Sequence, residues 1–244
     1  MRFLSAIWSN LALITYAVPV ETLEPCLPPG CTADLGWEGK AHVSLVAFDF
    51  LKTRVLGIGW PGFRNFPEIN LRAYVRHNAT GDRGVTFIRE LVPSRIIAAM
   101  ARWTYNEPYA SAPMQSKITR NQDTIQVDHG IDFNGRRQHI QVRGQLPCAA
   151  TSEDGLERFF TQQRWGFNRS RSNNLIRYEV VHPLWNCYQV QSWQLDWDFA
   201  AAYGRQWAIL QDLAPSYVLL AEGSNVEVRV GKREESSSTI LKAF

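Results

Sequence analysis

The stretch NFPEINLRAYVR, residues 65 to 76, decides how the rest of the chain is read. From Pro67 on it alternates with the two-residue period of a β-strand, placing Ile69, Leu71, Ala73 and Val75 on one face and Glu68, Asn70, Arg72 and Tyr74 on the other. A strand on a half-buried surface turns its second face to water. A strand in a barrel wall turns it inward, where a polar row lines a cavity. Glu68 and Arg72 stand four residues apart, roughly 13 Å at the usual rise, too far to pair directly but on one face and able to serve one pocket.

The surrounding composition supports a strand-built interior. The chain has 244 residues, 45% of them hydrophobic and 12% aromatic, enough for a core and unlike a disordered sequence. No Pro/Ser/Gly-rich linker or charge block divides it. One domain over residues 1–230, followed by a flexible tail at 231–244, is the expected organisation. The net charge of +3 is small and scattered, which argues against nucleic acid as a partner. The lysines are Lys40, Lys52, Lys117, Lys232 and Lys242, so 21 of the 26 basic residues are arginine, a fork suited to carboxylates. A GC-rich genome gives the same bias.

Cys26, Cys31, Cys148 and Cys187 form no C-x-x-C pair and have no histidine at metal-ligand spacing, so they read as reduced thiols of a cytoplasmic protein. The apolar N-terminus MRFLSAIWSNLALITYAVP is broken by Ser9 and Asn10 and lacks a small-x-small cleavage site, so it reads as a first core strand. With no segment long enough to span a membrane, the sequons at Asn78 and Asn168 carry no weight.

Alternation predicts further strands at 41–50 and 67–76, with VTFIREL (85–91) as the antiparallel partner of the opening strand. Others are predicted at 115–120, 123–129 and 137–143 (the last two joined through Asn134 and Gly135), at 175–182 and 187–197, and as a closing pair near 216–230. Helical signals follow Pro93 and Ser94 (94–105), Thr151 or Ser152 as a cap with Glu153 and Asp154 in the first turn, and 198–210. The class is mainly β (α+β) with a few peripheral helices, and short turns make the strands antiparallel.

Familiar catalytic signatures are absent: there is no G-x-S-x-G, P-loop, G-x-G-x-x-G or H-E-x-x-H, and the five histidines are scattered singly. Besides the Glu68/Asn70/Arg72 row, two groups draw notice. Tyr105, Asn106, Glu107 and Tyr109 crowd a helix end, and Tyr178, Val180 and His182 share a strand face before Pro183.

Taken together, FRNFPEINLRAYVR, RGVTFIRELVP, YNEPYASAPM, QQRWGFNRS, YEVVHPLW and LLAEGSNVEV resemble the YqjF-like family, as does the opening WSNLALITYAVPVETLEPCLPPG. The resemblance runs from Phe3 to about Val230. That family is placed in the acetoacetate-decarboxylase-like superfamily. The resemblance therefore implies an antiparallel β-cone or open barrel, with the Glu68, Asn70 and Arg72 face looking into the pocket and the apolar face packed outward under helices. It also implies that Glu68 matches the decarboxylases' pocket glutamate.

Those decarboxylases form a Schiff base through a lysine after a proline, in a Pro-Lys-Lys pattern. Here the matching segment is Pro108, Tyr109, Ala110, and Lys117 matches neither lysine. Imine chemistry is not expected.

The resulting expectation is a pocket for a small organic acid or carbonyl compound. Arg72 holds a carboxylate, Glu68 acts as acid or base, and Asn70, Tyr109 and His182 orient the ligand, in lysine-independent acid/base work. No cofactor or metal is implied. The expected partner is the small molecule, with a homo-oligomer as the further possibility and no membrane contact. A rival reading is a non-catalytic binder of an apolar or aromatic ligand, and a third is an RNA binder with an outer arginine stripe.

Overall fold

The computed structural model describes residues 2–99, 108–152 and 154–234. In chain order the elements are β1 (Arg2–Val18), α1 (Val20–Leu23) running into a 3-10 turn (Glu24–Cys26), β2 (Cys31–Ala33), β3 (Ala41–Val55), β4 (Phe66–His77) and β5 (Arg83–Val92). Helix α2 is described at residues 95–99. Then come β6 (Tyr109–Ser111), β7 (Met114–Arg120), β8 (Thr124–Phe133), β9 (Arg136–Ala149), α3 (Leu156–Thr161), β10 (Trp165–Arg169), β11 (Leu175–Val181) and β12 (Cys187–Asp196). Helix α4 (Phe199–Tyr203), a 3-10 helix (Arg205–Gln211) and β13 (Tyr217–Glu234) complete the chain. The protein is mainly β, and all the described strands join one sheet.

The sheet runs β1-β3-β4-β5-β10-β11-β13, and β13 pairs back onto β1, closing these strands into a barrel. From β13 the sheet continues as a wing, β12-β9-β8-β7. Most pairings are antiparallel, but β5 pairs parallel with both β6 and β10, so the sheet is mixed rather than wholly antiparallel. Each exception follows a long connection, through α2 or α3, instead of a tight turn.

Two long strands bend where a non-glycine residue takes a positive φ: Asn10 (56°) in β1 and Lys52 (53°) in β3. The β1–β3 register shifts at both places, as β-bulges require. The bulge at Lys52 also switches faces, so Val46, Phe48 and Phe50 point into the barrel before it and Thr53 and Val55 after it.

β4 behaves as its alternation predicts. Ile69, Leu71 and Ala73, fully buried, belong to the largest core cluster, each large side chain contributing about 1.5–3 kcal/mol by burial. That cluster lies outside the barrel, and its cover is broader than helices alone: Ile125, Val127, Ile140 and Val142 of the wing join Phe199, Tyr203 and Trp207 of α4 and its 3-10 extension.

Three expectations are corrected. The closing pair of strands is one strand, β13, which continues through Gly231–Glu234 into the segment read as tail. Gly223 (φ 86°) is not a turn; a Cβ there would lie 2.0 Å from the Trp8 carbonyl oxygen, so glycine permits close pairing with β1. Helix α3 starts at Leu156 behind Gly155 at the cap position, with no side-chain cap, while the Thr151 hydroxyl donates instead to the Trp185 carbonyl oxygen at 2.6 Å. Gly204 divides the helix read over 198–210 into α4 and the 3-10 segment. Ser94 does cap α2, its Oγ accepting from the Ile96 and Ile97 amides at 3.2 and 3.4 Å.

Candidate functional site

A cavity of about 350 Å³ occupies the barrel. Its polar wall is assembled by register. In β4, Glu68, Asn70 and Arg72 face inward on alternate residues, and Asn70 stands opposite Glu90 of β5, which stands opposite Tyr109 of β6. The β4–β5 register shifts between Leu71 and Arg72, leaving Ile88 unpaired, so Phe87 and Glu90 both reach the cavity although strict alternation would separate them.

These groups are deeply buried: Glu68 is 3% exposed, Asn70 2%, Glu90 2% and Arg72 7%. The Glu68 carboxylate accepts from Asn70 Nδ2 at 3.0 Å on one oxygen and from the Tyr109 hydroxyl at 3.1 Å on the other. The Arg72 guanidinium donates to the Phe160 carbonyl oxygen at 2.9 Å, the sole side-chain hydrogen bond of Arg72 among the described residues, and lies 5.6 Å from the Tyr74 ring centre. No acidic side chain among the described residues lies within ion-pair distance of Arg72. A guanidinium out of water without a carboxylate is costly unless another anion compensates it.

The remaining wall is apolar and aromatic. Phe50 stacks on Phe66 at 4.8 Å, Trp8 tilts against Phe48 at 5.2 Å, and Leu11, Phe87, Val180 and Val228 fill in between. At the outer end stand Ile58, Trp60 and Ile96, each more than half exposed.

Of the residues singled out in the sequence, Glu68, Asn70, Arg72, Tyr109, Tyr178 and Val180 line this cavity. His182 does not. Pro183 ends its strand, and the imidazole stacks on Trp185 at 4.1 Å while Nδ1 meets the Pro183 carbonyl oxygen at 2.8 Å. Burial lowers its pKa, the Pro183 contact opposes that shift, and the Arg72 charge adds to it. Tyr105, Asn106 and Glu107 lie outside the described residues.

Glu90 and the aromatic wall were not singled out. The bulge that turns Glu90 inward has no local sequence signal, whereas Phe48 and Phe50 at alternate positions did carry one. No lysine lines the cavity among the described residues, and Lys117 is exposed on β7.

Comparison with known proteins places this architecture. The family model DUF2071, described as an uncharacterized conserved protein, matches residues 5–225. The uncharacterized protein YqjF of Bacillus subtilis (strain 168) is 27% identical over 187 residues, covering 73% of this chain and 72% of that protein. Among solved structures, acetoacetate decarboxylase from Legionella pneumophila superposes with a TM-score of 0.65 at 14% identity, over 95% of this chain and 87% of that one. An acetoacetate decarboxylase-like enzyme from Sphingomonas wittichii RW1 gives 0.67 at 10% identity, over 97% and 94%. The enduracididine biosynthesis enzyme MppR, complexed with pyruvate, gives 0.65 at 13% identity, over 96% and 91%. At such identities the likeness is one of fold.

Proposed function

The chain belongs to the DUF2071 family of uncharacterized conserved proteins, and from that premise we propose that its barrel binds a small organic acid or carbonyl compound without forming an imine. The observation that carries this reading is Arg72, a buried cation on the cavity wall with no carboxylate partner among the described residues. A bound carboxylate supplies the missing charge, and a guanidinium suits it geometrically. Neighbouring solved structures include one complexed with pyruvate, a small keto acid, which agrees with this ligand class.

Glu68 is the group placed to move a proton. It lines the same wall, and the Asn70 and Tyr109 hydrogen bonds fix its orientation. With an acid held at Arg72, Glu68 takes or returns a proton at a carbon beside a carbonyl, the chemistry of enolisation or dehydration. The second reading, binding of an apolar or aromatic ligand without turnover, is favoured by the aromatic wall around Trp8, Phe48, Phe50 and Phe66. The free thiols of Cys26, Cys148 and Cys187 support a reducing, cytoplasmic setting, and among the described residues no helix is long and apolar enough to cross a membrane.

Hydrogen exchange separates the readings. In deuterated water, a panel of keto acids incubated with the protein should gain deuterium beside the carbonyl, and Glu68→Gln should abolish the gain. Binding with no exchange for any panel member would leave the non-catalytic reading standing and remove the proton-transfer role of Glu68.

A further inference from the structure

We infer that the ligand is a monocarboxylic acid with an extended apolar tail, an acyl chain or arylalkyl group of about eight to ten carbons, rather than an acid as small as pyruvate. This rests on the proposed role of Arg72 in holding the carboxylate.

The first argument is the gradient along the cavity. Its charged groups, Glu68, Arg72 and Glu90, with Asn70 among them, are deeply buried, at most 7% exposed. The body is apolar, and the mouth is formed by Ile58, Trp60 and Ile96, exposed at 55%, 52% and 57%. A short keto acid would touch the polar end alone and leave the aromatic wall and rim uncovered. Large apolar side chains at a protein surface are common singly, but three around one mouth form a patch that marks a binding site.

The second argument is size. The cavity of about 350 Å³ corresponds to roughly a dozen water-sized groups at about 30 Å³ each. A carboxylate with eight to ten further carbons occupies that space. A two- or three-carbon acid fills a fraction of it, and the remainder is too apolar to hold water well.

The third is the placement of the rim. Ile58 and Trp60 belong to the loop between β3 and β4, and Ile96 to the first turn of α2, so both lie at the ends of elements whose interiors form the wall. The tail of a long ligand would lie along Phe48 and Phe50 and end between these side chains.

Titration calorimetry with straight-chain monocarboxylates from acetate to dodecanoate, and with alcohols of matching length, tests this. The expected result is a Kd that tightens about fourfold per carbon, the factor to which ~0.8 kcal/mol per buried methylene converts, levelling off near ten carbons. Trp60→Ala, a change at a half-exposed position, should leave butyrate binding unaltered and weaken decanoate about tenfold.

Equal affinity for acids of every length would overturn the inference while leaving the Arg72 carboxylate site intact. Alcohols binding as tightly as the matching acids would overturn the carboxylate site itself. No binding by either series would overturn both.

Discussion

The Tyr109 hydroxyl donates to Glu68 Oε2 at 3.1 Å, joining a three-residue strand to the middle of the barrel wall. Tyr109 follows Pro108 at the start of β6, so its phenol reaches the β4 carboxylate from across β5. Tyr109→Phe removes this charge-assisted bond and should destabilise the protein by about 1–3 kcal/mol. Denaturant unfolding would show it as a lower midpoint with an unchanged slope. An unchanged midpoint would mean the bond contributes nothing to the fold.

The absence of lysine from the described lining makes a chemical prediction. Borohydride added to the protein with acetoacetate or pyruvate should leave its intact mass unaltered, because imine formation needs an amine in the cavity. A reduced adduct on Lys117, or on any other lysine, would show that the carbonyl reaches an amine after all.

Gly84 tests the seam between β5 and β10. A Cβ there would lie 2.2 Å from the Trp165 carbonyl oxygen, a backbone atom that cannot step aside. Gly84→Ala should therefore cost at least about 3 kcal/mol. The control is Gly57→Ala, where φ is 84° but nothing lies within 4 Å, so only the left-handed backbone cost of about 1–2 kcal/mol applies. Equal losses in the two variants would mean that the β5–β10 approach does not limit the barrel.

Stability should fall on mild acidification. Burial lowers the pKa of His42; it does the same for His129, where the Asp49 charge opposes it, and for His182, where the Arg72 charge adds to it. Between those lowered values and the ordinary imidazole value of about 6.5, the unfolded chain binds more protons than the native one. The stabilisation is therefore complete above about pH 6.5 and is lost as pH falls, by at most about 1.4 kcal/mol per pH unit for each histidine. His42 packs on the Phe160 ring at 5.2 Å, so His42→Phe should keep the packing and flatten the profile. Unfolding curves that coincide from pH 8 to pH 5 would refute this.

The parts of the fold that were legible in the sequence are those where one local period governs both faces. β4 is the clearest: Ile69 and Leu71 meet the outer core while Glu68, Asn70 and Arg72 meet the cavity, and neither face tolerates a slip of one residue. What was hidden depends on non-local pairing. The bulge at Ile88 exists because β4 and β5 change register there, and it turns Glu90 inward against the alternation of its own strand. Glu222, Gly223, Ser224 and Asn225 have the composition of a turn, yet the pairing of Gly223, Ser224 and Asn225 with β1 keeps the chain in one strand. Alternation puts His182 on the face of Tyr178, but β11 ends at Val181 and the imidazole stacks on Trp185 instead of joining the wall.

Arg72 carries the account, and calorimetry on its variants tests it most directly. Against a panel of carboxylic acids, Arg72→Met should remain folded and lose about 1.5–3 kcal/mol of binding, roughly 10- to 150-fold in Kd. Arg72→Lys should recover part of it, since a point charge does not reproduce the bidentate fork. Native protein and Arg72→Met binding every acid equally would contradict the account, leaving Arg72 as a structural partner of the Phe160 carbonyl and nothing more.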